Sequence, residues 1–209
     1  MESFFYLHLV ELICICVFAF SAVLMDASRG KDIVSIVVIA MITALGGGTL
    51  RDMMLFSPSQ LFWIREPNYF WVAFFSAIIG FFIVPFIRHR HTDRIILLLD
   101  TFGVALFSVS VTKRLLVEEH AAFVAISMGM ITAVFGGVLR DVIIQRPTLF
   151  NNTDFYATPI ILGCILFSAL YHFEFCLLCS SVASMVFIIL FRLYVVYKGH
   201  QFPSSLLLK

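Results

Sequence analysis

Residues 42–52 read ITALGGGTLRD and residues 131–141 read ITAVFGGVLRD, eight of eleven positions identical at an offset of 89. Each copy lies inside a long apolar run and places an arginine–aspartate pair just after its glycines. The same offset carries Ser21 onto Ser110, Phe18 onto Phe107, Pro58 onto Pro147, and Glu11 onto Asp100. A repeat this long, with glycines and charges embedded in apolar sequence, points to a membrane protein with duplicated halves.

Composition agrees with that reading. Hydrophobic residues make up 61% of the chain and charged residues 13%, and the mean hydropathy is +1.03. A soluble chain is about a quarter charged, so the apolar excess here requires the bilayer as solvent. A net charge of +1 gives no reason to expect a nucleic-acid partner. The five cysteines all fall in apolar runs and read mainly as small hydrophobes. Cys176 and Cys179 have CxxC spacing, but no second pair or histidine cluster supports a metal site.

Seven apolar segments are expected to cross the membrane, near 4–25, 33–56, 69–87, 95–112, 121–144, 155–171 and 175–197. Each is long enough for a hydrocarbon core of about 30 Å with some tilt. Residues 57–68 read as an interfacial loop. The basic stretch RHRHTDR at 88–94 separates the halves. The expected organisation is therefore a first three-helix repeat at 1–87, a linker at 88–94, a second repeat at 95–173, and a seventh helix with its tail at 174–209. Three spans per copy is an odd number, so the copies are inverted in topology. The fold class is an all-α integral membrane protein, with spans 2 and 5 kinked at their glycines. Setting Arg51 and Arg140 aside, nine lysines and arginines fall on one face and three on the other. The positive-inside bias then puts the N-terminus outside and the C-terminus in the cytoplasm.

Gly46, Gly47 and Gly48 follow a β-branched helix, and Phe135, Gly136 and Gly137 are their matches. An interior glycine weakens a helix by roughly 1 kcal/mol relative to alanine, so a kink or unwound turn is expected at each site. Backbone groups freed there must face protein or a water-filled cavity. The alternative is that the glycines let helices approach closely.

The buried charges are Arg51, Asp52, Arg140 and Asp141, with Glu11 and Asp100 as the other matched acids. An arginine or aspartate at mid-membrane costs roughly 2.5–3.5 kcal/mol on insertion scales. Sequence neighbours on a helix do not face each other. Arg51 and Asp52 are therefore expected to seek other partners, with Arg51 reaching an acid of the other repeat and Arg140 the reverse. The alternative roles for these groups are an ion pathway or a structural clasp between the halves. Arg192 is a further candidate partner, whereas Lys113 and Arg114 read as snorkelling residues. Ser21, Thr43, Ser108, Ser110 and Thr132 are candidate pore-lining hydroxyls, though such groups also satisfy carbonyls of their own helices. No Ser-His-Asp, zinc or phosphate-loop pattern appears, and GGGTLRD lacks the lysine of a P-loop, so neither catalysis nor a cofactor is expected.

At the paired GGxLRD motifs, and at LLDTFGVALF (98–107), the chain resembles bacterial members of the trimeric intracellular cation channel family. That family overlaps the UPF0126 group, whose members include proposed glycine transporters. The resemblance covers nearly the whole chain. It implies a homotrimer with an hourglass pore inside each protomer, lined by spans 2 and 5 where they kink, and permeable to potassium and less selectively to sodium. Phe135 departs from the family pattern, because a third glycine is common in its place. The expected function is a monovalent-cation channel in a bacterial inner membrane, with no cofactor beyond the transported ions. Anionic lipid is an expected partner at Arg88, Arg90 and Arg94. The alternative is a secondary transporter for a small amino acid such as glycine, since inverted repeats and broken helices serve alternating access equally well.

Overall fold

A computed structural model describes residues 2–26, 32–55, 61–87, 92–145 and 156–198. The described residues are helical, with no strand among them. The helices are α1 (Glu2–Asp26), α2 (Ile33–Met54), α3 (Phe62–Arg65), α4 (Asn68–Ile87), α5 (Thr92–Val117), α6 (Ala122–Ile144), α7 (Thr158–His172) and α8 (Leu177–Lys198). Six of these, all but α3 and α7, are long and apolar enough to cross a membrane. At 1.5 Å per residue, the 15 residues of α7 give a shorter apolar helix. The chain is a multi-pass membrane protein.

Local chemistry sets several boundaries. Asp32 caps α2: its side chain accepts from the Ser35 amide at 2.9 Å and from the Ser35 hydroxyl at 2.7 Å, satisfying a donor that the first helical turn leaves free. Pro159 stands in the first turn of α7, where the missing N–H costs nothing. Gln145 ends α6 in the left-handed region at φ 54°.

Helices α1 and α5 pack against each other at the centre. Around them α1 holds α2 and α4, α5 holds α6, α7 and α8, and α2 packs on α6. The most enclosed element is α5, whose apolar window is 67% buried, against 28% for α4. On α4 the exposed side chains Trp71, Phe75, Phe82 and Phe86 recur at helical spacing and form one outward apolar stripe. That stripe is stable only in lipid or against protein.

Three boundaries differ from the sequence reading. The interfacial loop at 57–68 contains the short helix α3. Helix α5 begins at Thr92, inside the expected linker, and runs five residues past the expected end, so Lys113 and Arg114 belong to its last two turns. Arg88, Arg90, Pro58 and Pro147 lie outside the described residues, whereas Arg94 is exposed near the start of α5.

The expected unwound turns are absent. Helix α2 continues through Gly46–Gly48, and α6 through Gly136 and Gly137. The physical reason is close approach. A Cβ on Gly47 would overlap the backbone carbonyl of Thr132, and a Cβ on Gly136 would overlap that of Thr43. Bare glycine surfaces let α2 and α6 pack backbone to backbone, and the dispersion gained there offsets the lower helix propensity.

Candidate functional site: two buried charge clusters

The matched acids each organise a cluster, one at each end of the α1–α5 pair. In the first, Glu11 on α1 has a side chain only 4% exposed. Arg114 of α5 lies 3.1 Å from its Oε1, and Arg51 of α2 lies 3.8 Å from the same oxygen. The hydroxyl of Tyr69, at the start of α4, donates to its Oε2 at 2.6 Å. Arg51 turns back on its neighbour, with Nε donating to Asp52 Oδ1 at 2.8 Å. The other oxygen of Asp52 accepts the Phe62 amide at 2.8 Å. Asp52 therefore ties the last turn of α2 to the first of α3, and the Arg51 guanidinium lies 5.5 Å from the Phe62 ring centre.

The second cluster centres on Asp100, on α5. Arg192 of α8 donates to its Oδ2 at 2.6 Å, and Tyr156 donates to the same oxygen at 3.2 Å. Arg140 of α6 stands 3.7 Å from Oδ1, donates to Asp141 through Nε at 3.0 Å, and donates to Ser21 of α1 through Nη1 at 3.2 Å. The Arg192 guanidinium stacks 4.3 Å from the Tyr156 ring centre. Burial, reinforced by the Asp100 carboxylate, pushes the Tyr156 hydroxyl up, so it serves as a neutral donor. Arg140 is fully buried, Asp100 is 1% and Arg192 3% exposed. In so dry a site ionised groups persist only when each charge is met by another.

The clusters correct two expectations about the arginines. Neighbouring arginine and aspartate do pair directly, in both copies. The i,i+1 rule concerns where the Cβ atoms point, and an arginine stem is long enough to curl round to the adjacent carboxylate. In a dry setting the Coulomb term strongly favours that curl. Among the described residues, the acids that the contacts place beside Arg51 and Arg140 are those of their own repeats. Glu11 and Asp100 belong to their own halves, because the last turns of α2 and α6 lie beside α1 and α5 respectively. What crosses is Arg114 to Glu11, and Arg140 to the Ser21 hydroxyl. Helices α1 and α5 thus each contribute to both clusters.

The candidate hydroxyls are all buried. Thr43 donates to the Ile39 carbonyl at 2.8 Å and Ser108 to that of Ala105 at 3.2 Å, each within its own helix. Ser21 donates to the Phe18 carbonyl at 2.9 Å and so presents its lone pairs to Arg140. Thr132 Oγ1 is buried and has no hydrogen-bond partner among the described residues. Phe135 stands apart from both clusters. With Gly46, Met41, Leu45, Trp63 and Phe70 it lines an apolar groove of about 440 Å³ between α2 and α6.

Sequence reading missed Arg114 and both tyrosines. Arg114 was concealed by the early end set for its helix. Tyr69 and Tyr156 are equivalent in role but sit 87 residues apart rather than 89, so strict offset matching passes over them.

A family model described as glycine transporter matches residues 8–85 and 97–172. The chain is 31% identical over 196 residues to the UPF0126 inner membrane protein YadS of Escherichia coli, covering 93% of this chain and 94% of that one. It is 34% identical over 161 residues to a UPF0126 membrane protein of Vibrio cholerae, covering 75% of this chain and 65%, just under two thirds, of that protein. Among solved structures it is similar to a TRIC trimeric intracellular cation channel orthologue from Rhodobacter sphaeroides. The TM-score there is 0.87 at 29% identity, over 93% of this chain and 99% of that one. It shares the fold of a prokaryotic TRIC channel determined in 0.5 M KCl, with a TM-score of 0.84 at 21% identity over 94% and 98% of the two chains.

Proposed function

This chain belongs to the family described as glycine transporter and is a relative of the UPF0126 membrane proteins, and from that premise we propose that it is a passive channel for monovalent cations. The observation that carries the reading is a pair of buried carboxylates, Glu11 and Asp100, each held beneath two guanidiniums at opposite ends of one helix pair, on the fold of a cation channel at a TM-score of 0.87. A carboxylate buried in membrane is costly unless it is paired or lines a wet path. Here each carboxylate meets two guanidiniums within 3.8 Å, and in this reading the clusters act as latches. In the conducting state the latch arginines turn away, the helices kink at the glycines, and carboxylates, hydroxyls and carbonyls replace part of the ion's hydration.

The finer features belong to the same proposal. Potassium is the principal ion and sodium a lesser one, both as cargo. Three copies assemble, each with its own pore. The halves are inverted repeats, a reading supported by the reciprocal contacts of Gly47 with Thr132 and Gly136 with Thr43. The protein sits in a bacterial inner membrane with its N-terminus outside, and Arg94 meets anionic lipid at the cytoplasmic face.

A second reading is a transporter for a small zwitterion such as glycine, favoured by the description of the matching family model. Purified protein in a planar bilayer under a potassium gradient separates the two. Unitary currents reversing near the potassium potential are the expected result. Electrical silence, together with saturable glycine uptake into vesicles, would replace the channel by the transporter.

A further inference from the structure

The fold treats the five cysteines unequally. Cys14 and Cys164 are buried, whereas Cys16, Cys176 and Cys179 are exposed. Cys16 lies within the Leu7–Asp26 span, so its exposed side meets lipid. Cys176 and Cys179 stand together at the head of α8. Helix α7 ends at His172 and α8 begins at Leu177, so the turn between them is short. The Glu174 amide donates to the Tyr171 carbonyl at 3.1 Å and the Phe175 amide to that of Leu170 at 3.2 Å, which folds the turn back onto the end of α7. Glu174 is exposed, and an exposed carboxylate belongs at the water level rather than in hydrocarbon. Cys176, two residues on, therefore lies at the membrane boundary, within reach of dissolved reagents.

The two thiols touch. The Cys176 sulfur accepts the Cys179 amide and shares a hydrogen bond with the Cys179 thiol. Residues three apart on a helix hold their Cβ atoms about 5–6 Å apart, wider than the ~3.8 Å of a disulfide. Cys176 escapes that spacing because it precedes the helix. Its carbonyl accepts the Ser180 amide at 2.9 Å, but its own backbone is the cap, free of the helical spiral, and can bring the sulfurs together. Among the described residues no group of three or more histidines, cysteines or carboxylates is placed to hold a metal, so the chemistry open to the pair is that of a dithiol.

We propose that Cys176 and Cys179 form a thiol–disulfide exchange site at the head of α8, with Cys176 as the attacking and Cys179 as the resolving thiol, and that its oxidant is a disulfide. Cys176 attacks because its sulfur sits on the helix N-terminus, where backbone donors favour the thiolate, the nucleophilic form. The thiolate attacks one sulfur of the incoming disulfide, joining it to Cys176 and expelling the other half as a thiolate, which takes up a proton. Cys179 then loses its proton to water, and its sulfur attacks the Cys176 sulfur. The internal disulfide closes and the second half of the oxidant leaves as a thiol. The pair has given up two electrons and two protons, and the oxidant has become two thiols. In the orientation proposed above, this turn lies on the outer face, the side on which disulfides form and persist. The exchange chemistry depends neither on that orientation nor on what the protein transports.

Two measurements on the full-length protein test this. In the first, protein in nanodiscs is equilibrated with reduced and oxidised glutathione, quenched with acid, and its remaining thiols are labelled with a maleimide and read peptide by peptide in the mass spectrum. Cys176 and Cys179 should lose their label together, in one two-electron transition, and their shared peptide should carry the closed bond. Cys179→Ser should stop at glutathione joined to Cys176, and Cys176→Ser should lose the rapid reaction. Wild-type protein that keeps both thiols throughout, or that holds glutathione without closing the bond, overturns the site. So does Cys179 reacting as fast in Cys176→Ser as Cys176 does in the wild type. The second measurement applies a membrane-impermeant disulfide to intact spheroplasts and to inverted membrane vesicles. Closure in spheroplasts and not in the vesicles is expected. The reverse would overturn the placement on the oxidising side, and with it the proposed orientation, while leaving the dithiol site in place.

Discussion

Gly47 lies directly on the backbone carbonyl of Thr132, with no room for a Cβ between them. Its match at the repeat offset, Gly136, lies in the same way on the carbonyl of Thr43. Backbone cannot swing aside as a side chain can, so a methyl at either glycine forces α2 and α6 apart along their whole contact.

Gly47→Ala and Gly136→Ala are each expected to destabilise the protein by about 1–3 kcal/mol or more, read as a lower thermal midpoint in detergent. Gly103→Ala is the control. Its Cβ would sit 3.2 Å from the Phe18 ring and 3.4 Å from Val17, both side chains that can yield by tenths of an ångström, so its shift should be much smaller. Equal shifts for all three would mean that the close backbone approach does not matter.

Arg192→Ala removes the 2.6 Å partner of Asp100 and leaves a carboxylate buried and under-compensated. The expected loss is roughly 3–5 kcal/mol. Adding Asp100→Asn to Arg192→Met leaves Arg140 with Asp141, a balanced pair, and should recover most of that loss in the same thermal assay. A double variant as unstable as Arg192→Ala would mean that Arg192 acts through packing on Tyr156 rather than through charge.

Much of this was legible in the sequence because it followed from solvent and symmetry. Apolar runs located the helices, six of the seven expected spans being long enough to cross a membrane, and the 89-residue offset picked out Glu11 with Asp100, Arg51 with Arg140, and Gly47 with Gly136. Which group met which was not legible. Periodicity reports the direction of a Cβ, and the arginines act at the end of a long stem, so the Arg51–Asp52 and Arg140–Asp141 pairs contradicted a rule that holds for short side chains. That the glycines leave their helices wound was not legible either, for a related reason. Propensity measured in water penalises a triplet, but helix α2 recovers that cost from α6, a partner that local sequence does not display. Tyr69 and Tyr156 were hidden by a two-residue difference in the segments before them.

Asp32 provides a pH test outside the spans. The Ser35 hydroxyl, and then its amide, hold the Asp32 carboxyl below the usual aspartate range. A depressed carboxyl stabilises the fold above the unfolded value of about 3.9, and that contribution disappears as pH falls through the lowered folded value. Asp32→Ala should therefore lower the thermal midpoint at pH 7, and the gap from wild type should close as the solution is acidified below about pH 4. Asp32→Asn keeps an acceptor for the amide and should lose less. A gap that stays constant with pH would exclude the cap as its origin.

Cys176 is the N-cap of α8: its carbonyl accepts the Ser180 amide at 2.9 Å, while its thiol is exposed and free. The Cys179 amide, donating to that sulfur, and then the Cys179 thiol lower the Cys176 pKa. This is the helix N-terminus favouring the anion. Because the thiolate is the nucleophile, the prediction concerns rate against pH. Iodoacetamide should modify Cys176 with a half-maximal rate at a pH below the value of about 8.5 for an unperturbed cysteine, followed peptide by peptide in the mass spectrum. Buried Cys14 and Cys164 should react only after unfolding. Cys179→Ala retains the amide and should keep most of the shift, which separates the backbone contribution from that of the second thiol. If the Cys176 profile in the wild type matches that of an unstructured cysteine peptide, the sulfur is not accepting from the helix, and the start of α8 must be held by the turn before it alone.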